Sequence, residues 1–136
     1  PEEIRFYYGA YPGWNSDLEN DSTGIGLAIL PRDRFAAIEP TDAIAQVTLK
    51  SIQLRNVKRV TINADATDGD VRVELLTAEG YRVAGYTRDQ SVIITGNSFR
   101  HPVNWKGKTM ADLAAGRYQL RLHLKNARLF ALTIQR

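Results

Sequence analysis

The sequence predicts an all-β chain whose main domain is a two-sheet β-sandwich, jelly-roll-like, with an immunoglobulin-like sandwich as the alternative. Three observations predict it. Leu120, Leu122 and Leu124 alternate with Arg121 and His123, and a second β-rich run, Leu129 to Ile134, closes the chain. Alternation with period two marks a strand with one face in a core and the other in water. The same pattern recurs along most of the chain, broken by turn residues, and no stretch holds a helical period for more than a turn or so. About nine to eleven short strands at this spacing require two packed sheets or a barrel.

The elements follow in order. Residues 4–8, Ile-Arg-Phe-Tyr-Tyr, form an aromatic strand. Gly9 to Gly13 follows, with Tyr11, and then the polar stretch Trp14 to Thr23, a loop by composition. Gly24 to Leu30 is a strand stopped by Pro31; Pro31 to Arg34 is turn-like, and Phe35 to Ile38 is a short strand ending before Pro40. Ala45 to Leu54 alternates imperfectly. Lys58 to Ala64 places Val60, Ile62 and Ala64 on one face. Residues 65–70, Asp-Ala-Thr-Asp-Gly-Asp, hold an Asp-Gly pair between two alternating runs, which predicts a hairpin turn. Val71, Val73 and Leu75 are then the inward face of the returning strand.

Thr77 to Gly80 is a further turn. Tyr81 to Val83 and Ser91 to Thr95 are short strands around the loop Gly85 to Gln90, and Gly96-Asn-Ser98 turns the chain again. His101 to Lys106 is a strand with Pro102 near its start, where a missing amide is tolerated. Met110 to Ala115 is one helical turn ended by Gly116. Residues 117–124 and 128–135 are the last two strands, joined by Lys125-Asn-Ala127.

The 136 residues suffice for one domain with a real core, without metals or disulfides. Apolar residues at 43% and charged residues at 24% fit an ordinary globular domain. The net charge of +3 is spread without a run of Lys or Arg, which argues against a nucleic-acid partner. There is no cysteine, so a disulfide scaffold and a Cys-ligated zinc site are excluded. The apolar runs are too short to span a bilayer as helices, so no membrane partner is expected. No signal peptide is present, the chain begins at Pro1 and its only methionine is Met110. The expectation is a processed protein, or a piece of a larger one that serves a neighbouring domain.

Several phrases occur together: Glu3-Ile-Arg-Phe-Tyr-Tyr-Gly9, Gly24-Ile-Gly-Leu-Ala28, Arg32-Asp-Arg-Phe35, Val60-Thr-Ile-Asn-Ala-Asp65, Val71-Arg-Val-Glu-Leu75, Arg100-His-Pro-Val-Asn-Trp-Lys-Gly107 and Leu120-Arg-Leu-His-Leu-Lys-Asn-Ala-Arg-Leu129. The set resembles the C-terminal β-sandwich region of secreted planctomycete-type bacterial proteins with a glycosidase-like β-propeller in front, similar to glycoside hydrolase families 32 and 43. The resemblance implies that residues 1–23 are the end of a preceding domain plus a connection, and that residues 24–136 are the sandwich. It implies a secreted or periplasmic, non-catalytic accessory domain, whose partner is carbohydrate or a preceding catalytic propeller. The catalytic carboxylates would lie in that propeller, so no catalytic residue is carried over to this chain. The sequence departs from the pattern at Pro31, where a basic residue is more usual, and at Asn97, where Asp is more usual.

Candidate chemistry is sparse. Asp65, Asp68 and Asp70 form the densest oxygen cluster, a weak calcium candidate without the spacing of an EF-hand; a solvated hairpin turn is the simpler reading, and no cofactor is expected. His123 lies on the polar side of its strand and so reads as a surface residue; His101 precedes a proline and a strand, and metal binding would need both histidines to meet in space with a carboxylate. Glu74 is opposite in parity to Val73 and Leu75 and is expected to face water, with no second acid to pair with for glycoside hydrolysis. The glycines at 9, 13, 24 and 26 precede no helix, so they form no dinucleotide fingerprint. Aromatic side chains remain. Flat rings stack on the apolar C–H faces of sugars while nearby polar groups bond the hydroxyls. Trp14 and Tyr86, with Arg88 and Asp89 beside them, are the expected carbohydrate-binding residues, and Tyr11, Tyr81 and Arg100 are further candidates. Trp105 shares parity with Val103 and is expected in the core. For Trp14 and Tyr86, packing between domains is the competing role.

Overall fold

A computed structural model describes residues 2–10 and 24–136. Those residues are all-β, in a two-stranded and a six-stranded sheet, as expected for a β-sandwich. The chain divides into two compact units at Phe35/Ala36.

The first unit is a ribbon of β1 (Glu3–Ala10) and β2 (Gly24–Pro31), antiparallel from Glu3 opposite Pro31 to Ala10 opposite Gly24 without a bulge. Aromatic and branched residues favour this extended form. Gly26 lies under the Tyr8 ring, where any Cβ would collide with it. The pairing is why β2 belongs with β1. The Arg32 amide continues it by donating to the Glu2 carbonyl at 2.8 Å, and Phe6 packs edge-on to Phe35.

The second unit holds β3 (Ile44–Thr48), β4 (Ile52–Leu54), β5 (Arg59–Thr77), β6 (Ile94–Pro102), β7 (Gly116–Lys125) and β8 (Arg128–Gln135). The strand order is β3-β7-β5-β6, with β4 also on β7 and β8 also on β5, and all pairs are antiparallel. The expected single strand over 45–54 is thus two strands, both laid along β7. The expected strands at Phe35–Ile38 and Tyr81–Val83 are reduced to single bridges at Ile38 and Arg82.

β5 is the organising element, and it overturns the hairpin expected at Asp65–Asp70. The chain does not reverse there. It runs on as one strand of 19 residues. Its first arm, from Arg59, pairs with β8 and β6; its second, from Asp70, pairs with β7. Between Ala66 and Val71 the register slips, and the inward parity changes. Val60, Ile62, Ala64 and Ala66 face the core before the slip, and Val71, Val73 and Leu75 face it afterwards. The Asp-Gly signal misled because Gly69 is not in the left-handed region that a hairpin turn uses. Gly69 is needed for close approach: a Cβ there would run into the Lys125 carbonyl oxygen. Gly96-Asn-Ser98, expected to be a turn, lies inside β6 opposite Ala66, Asp65 and Ala64.

One core joins the two arms of β5 to Leu120, Leu122 and Leu124 of β7, Leu129 of β8, and Val103 and Trp105. The alternation in β7 and the inward Trp105 are as the sequence predicts. Trp105 Nε1 donates to the Val73 carbonyl at 2.8 Å, which satisfies its polar edge inside the core. The β7–β8 connection is tight, with Asn126 in the left-handed conformation that Asn tolerates.

Candidate functional site

The sites expected from the sequence disperse in three dimensions. Trp14 and Tyr11 lie outside the described residues. Tyr86 is only 3% exposed. Its ring packs edge-on to Trp105 with centroids 5.0 Å apart, and its hydroxyl donates to the Thr109 carbonyl at 3.2 Å. Burial, with smaller contributions from Asp112 and Tyr118, raises the pKa of its hydroxyl above the ordinary tyrosine value. Tyr86 is therefore a core residue, and its ring has no face free to stack on a sugar. The Gly-flanked loop turns inward because the Leu75 amide holds the Tyr86 carbonyl at 2.9 Å. Arg88 and Asp89 remain exposed, on a single 3-10 turn, Arg88–Gln90. Tyr81 and Arg100 are also exposed.

The three aspartates do not share one site. Asp65 Oδ1 accepts from the amide and hydroxyl of its neighbour Thr67, and Asp70 pairs with Arg72 at 3.3 Å. Asp65 and Asp68 line a shallow cleft of about 300 Å³ with Glu39 and Asp42, and Asp70 lines a different one. Among the described residues no group of three or more His, Asp or Glu side chains is placed to hold a metal ion.

A polar constellation does form elsewhere, on the outer face of β3, β7 and β5. The residues of β7 that alternate with the core leucines stand opposite those of β5: Arg121 opposite Glu74, and His123 opposite Arg72. Glu74, expected to face water, is 0% exposed. Its parity is outward, as read from the sequence, but three basic side chains close over it. His123 Nε2 donates to Glu74 Oε1 at 3.0 Å, and Arg121 Nη1 does so at 3.4 Å while its Nε donates to Thr48 Oγ1. Glu74 Oε2 lies 3.4 Å from Arg82 Nε, within ion-pair range but without hydrogen-bond geometry. Arg82 reaches it because Gly80, in the left-handed conformation, reverses the chain after β5 and lays residues 81–83 along that strand's edge. A buried carboxylate is costly unless paired and bonded; here both conditions are met through Oε1. His123, expected at the surface, is mostly covered and bound by this carboxylate.

Beside this cluster lies a cleft of about 210 Å³ lined by Asp70, Arg72, Arg88, His123 and Lys125, with the exposed Ile44 supplying apolar surface. Because Nε2 of His123 is bonded to Glu74, Nδ1 is the ring nitrogen left without a protein partner among the described residues. The cross-strand alignment could have been read from the sequence only with the β5–β7 pairing in hand. Arg72 and Glu74 on one strand, and Arg121 and His123 on the other, become a constellation through register alone.

Comparison with known proteins adds no relative: no family model, no curated protein and no solved structure matches the chain.

Proposed function

We propose that the chain is a non-catalytic accessory β-sandwich of a larger, secreted or periplasmic glycosidase-like protein, packed against a β-rich neighbouring domain and serving that protein's contact with carbohydrate. The observation that carries this reading is the β1–β2 ribbon. Tyr7 is 69% exposed and Ile25 83%, with Phe6, Tyr8, Leu27 and Ile29 also open to solvent. Two strands alone are marginally stable in water. An apolar patch of this kind marks an interaction surface, and free strand edges invite a further strand. Among the described residues β1 and β2 pair only with each other. An occupant that supplies both a strand edge and an apolar face is another β-sheet, and the resemblance in residues 3–9 and 24–28 suggests the last blade of a propeller.

The test is hydrogen exchange on the isolated chain and on the parent protein. The amides of β1 and β2 are expected to exchange fast in the isolated chain and to be protected in the parent. Equal exchange in both refutes the packing. A purely structural role is the second reading, favoured by the same ribbon. The two readings part on glycan binding by the isolated chain, which only the first requires.

A further inference from the structure

We propose that the cleft between β5, β7 and the Arg88–Gln90 turn binds an acidic carbohydrate, gripping the carboxylate of a uronic acid or the oxygens of a sulfate ester. This rests on the carbohydrate role proposed above and narrows it to a class of ligand and a set of residues.

The cleft gathers Arg72, Arg88, His123 and Lys125 from three separate elements, against the single carboxylate of Asp70. Arg72 already pairs with Asp70. Arg88 and Lys125 make no side-chain hydrogen bond or ion pair with any described residue. Positive groups brought together without a counter-charge repel one another, and a bound anion removes that repulsion while gaining charge-assisted hydrogen bonds. The guanidinium fork of Arg88 matches a planar carboxylate or two oxygens of a sulfate, and Lys125 adds a point charge.

The site is also supported from beneath. Glu74, wholly buried, fixes the His123 ring through Nε2 and leaves Nδ1 to accept from a sugar hydroxyl. Arg121 is tied to the same Glu74 oxygen and to Thr48, so the floor on which His123 rests is held from two sides. A binding group braced by a buried second layer loses little freedom when a ligand arrives.

The other lining residues favour a sugar over a nucleic acid. Ile44, 69% exposed, gives an apolar surface for the C–H face of a pyranose. Asp70 can accept from a sugar hydroxyl but would repel a run of phosphates. A volume of about 210 Å³ suits one or two sugar rings rather than a polyanion track.

The test uses the full chain in calorimetric titrations with five probes: polygalacturonate, its methyl-esterified form, a sulfated galactan, neutral β-glucan oligosaccharides and a single-stranded oligonucleotide. Binding is expected for polygalacturonate or the sulfated galactan, and the stronger of these two identifies the anion. Esterification is expected to abolish uronate binding, and raising salt from about 50 to about 500 mM to weaken it. The variant Arg88→Ala/Lys125→Ala, which removes two side chains without partners among the described residues, is expected to lose about tenfold or more in affinity at unchanged melting temperature. Arg55→Ala, which removes an exposed cation between β4 and β5 that does not line the cleft, is the control and is expected to bind as the parent does. Acidic-glycan binding unchanged in the double variant, or an oligonucleotide bound as tightly as the acidic glycan, overturns the assignment. Binding confined to the neutral oligosaccharides overturns it while leaving the carbohydrate role intact. No binding by any glycan overturns both.

Discussion

Glu74→Gln tests whether the buried carboxylate organises the polar sheet face. The substitution keeps the shape and one carbonyl oxygen, which can still accept from His123 Nε2. It removes the charge shared by His123, Arg121 and Arg82, and sets an amide NH2 against Arg82 Nε, donor facing donor, where Oε2 now lies 3.4 Å away. A hydrogen bond to a charged group is worth about 1.5–3 kcal/mol, and removing one partner of a buried ion pair costs about 3–5 kcal/mol. The upper figure does not apply. Arg82 is 71% exposed and Arg121 26% exposed, so water can take back both cations. The expected loss is about 2 kcal/mol, a fall in melting temperature of roughly 5–10 °C for a domain of this size.

The assay is urea unfolding followed by tryptophan fluorescence and by circular dichroism, with the slope in denaturant compared between variants so that a change in midpoint reads as stability. His123→Ala and the double variant complete a cycle. Residues bonded in one network are expected to couple by about 1 kcal/mol or more, whereas independent sites add to within about 0.5 kcal/mol. A Glu74→Gln protein within about 0.5 kcal/mol of the parent, or an additive cycle, refutes the view that this carboxylate holds the face together.

Gly69→Ala is expected to destabilise by roughly 1–3 kcal/mol or more, because its Cβ must displace the Lys125 backbone; a neutral result in thermal melts would show that β5 and the end of β7 can separate freely. Asp112 accepts from the Thr109 amide at 2.7 Å and from its hydroxyl at 2.8 Å, and these bonds, with Lys108 nearby, hold its carboxyl below the ordinary range. A carboxylate depressed on folding adds stability above its unfolded titration and loses it as pH falls through the folded value. Asp112→Asn is therefore expected to lower the melting temperature at neutral pH, with the gap to the parent closing under acid. A gap that stays constant into strong acid refutes the cap.

The parts of the fold legible in the sequence are those decided by local pattern. Strands β7 and β8 are read correctly because Leu120, Leu122 and Leu124 alternate cleanly and the Lys125-Asn-Ala127 link interrupts that pattern, and both strands run antiparallel to β5 on either side of the link. The inward sets on both arms of β5 are read correctly for the same reason. What fails depends on what lies across the strand. Gly69 reads as a turn residue, but its role is set by the Lys125 carbonyl pressed against it. Glu74 has the parity of a solvated charge, but Arg82, Arg121 and His123 arrive from 8 to 49 positions away to cover it. Tyr86 looks exposed between Gly85 and a polar run, but backbone bonds to Leu75 draw it beneath the surface.

The slip in β5 ties the fold to the proposed site. Before it, even-numbered residues face the core: Val60, Ile62, Ala64 and Ala66. Had that parity continued, Asp70, Arg72 and Glu74 would point inward and Val71, Val73 and Leu75 outward, a one-residue shift that reverses every side chain after it. The irregular segment between Ala66 and Val71 prevents this and does two things at once. It returns the valines and Leu75 to the core, where they meet the leucines of β7, and it turns Asp70, Arg72 and Glu74 onto the face where His123 and Arg121 already stand. The same residues that read as a hairpin turn are thus what places an ionic constellation on the sheet. Deleting one residue within 67–70 is accordingly expected to cost the core and the polar face together, because a single backbone irregularity sets both.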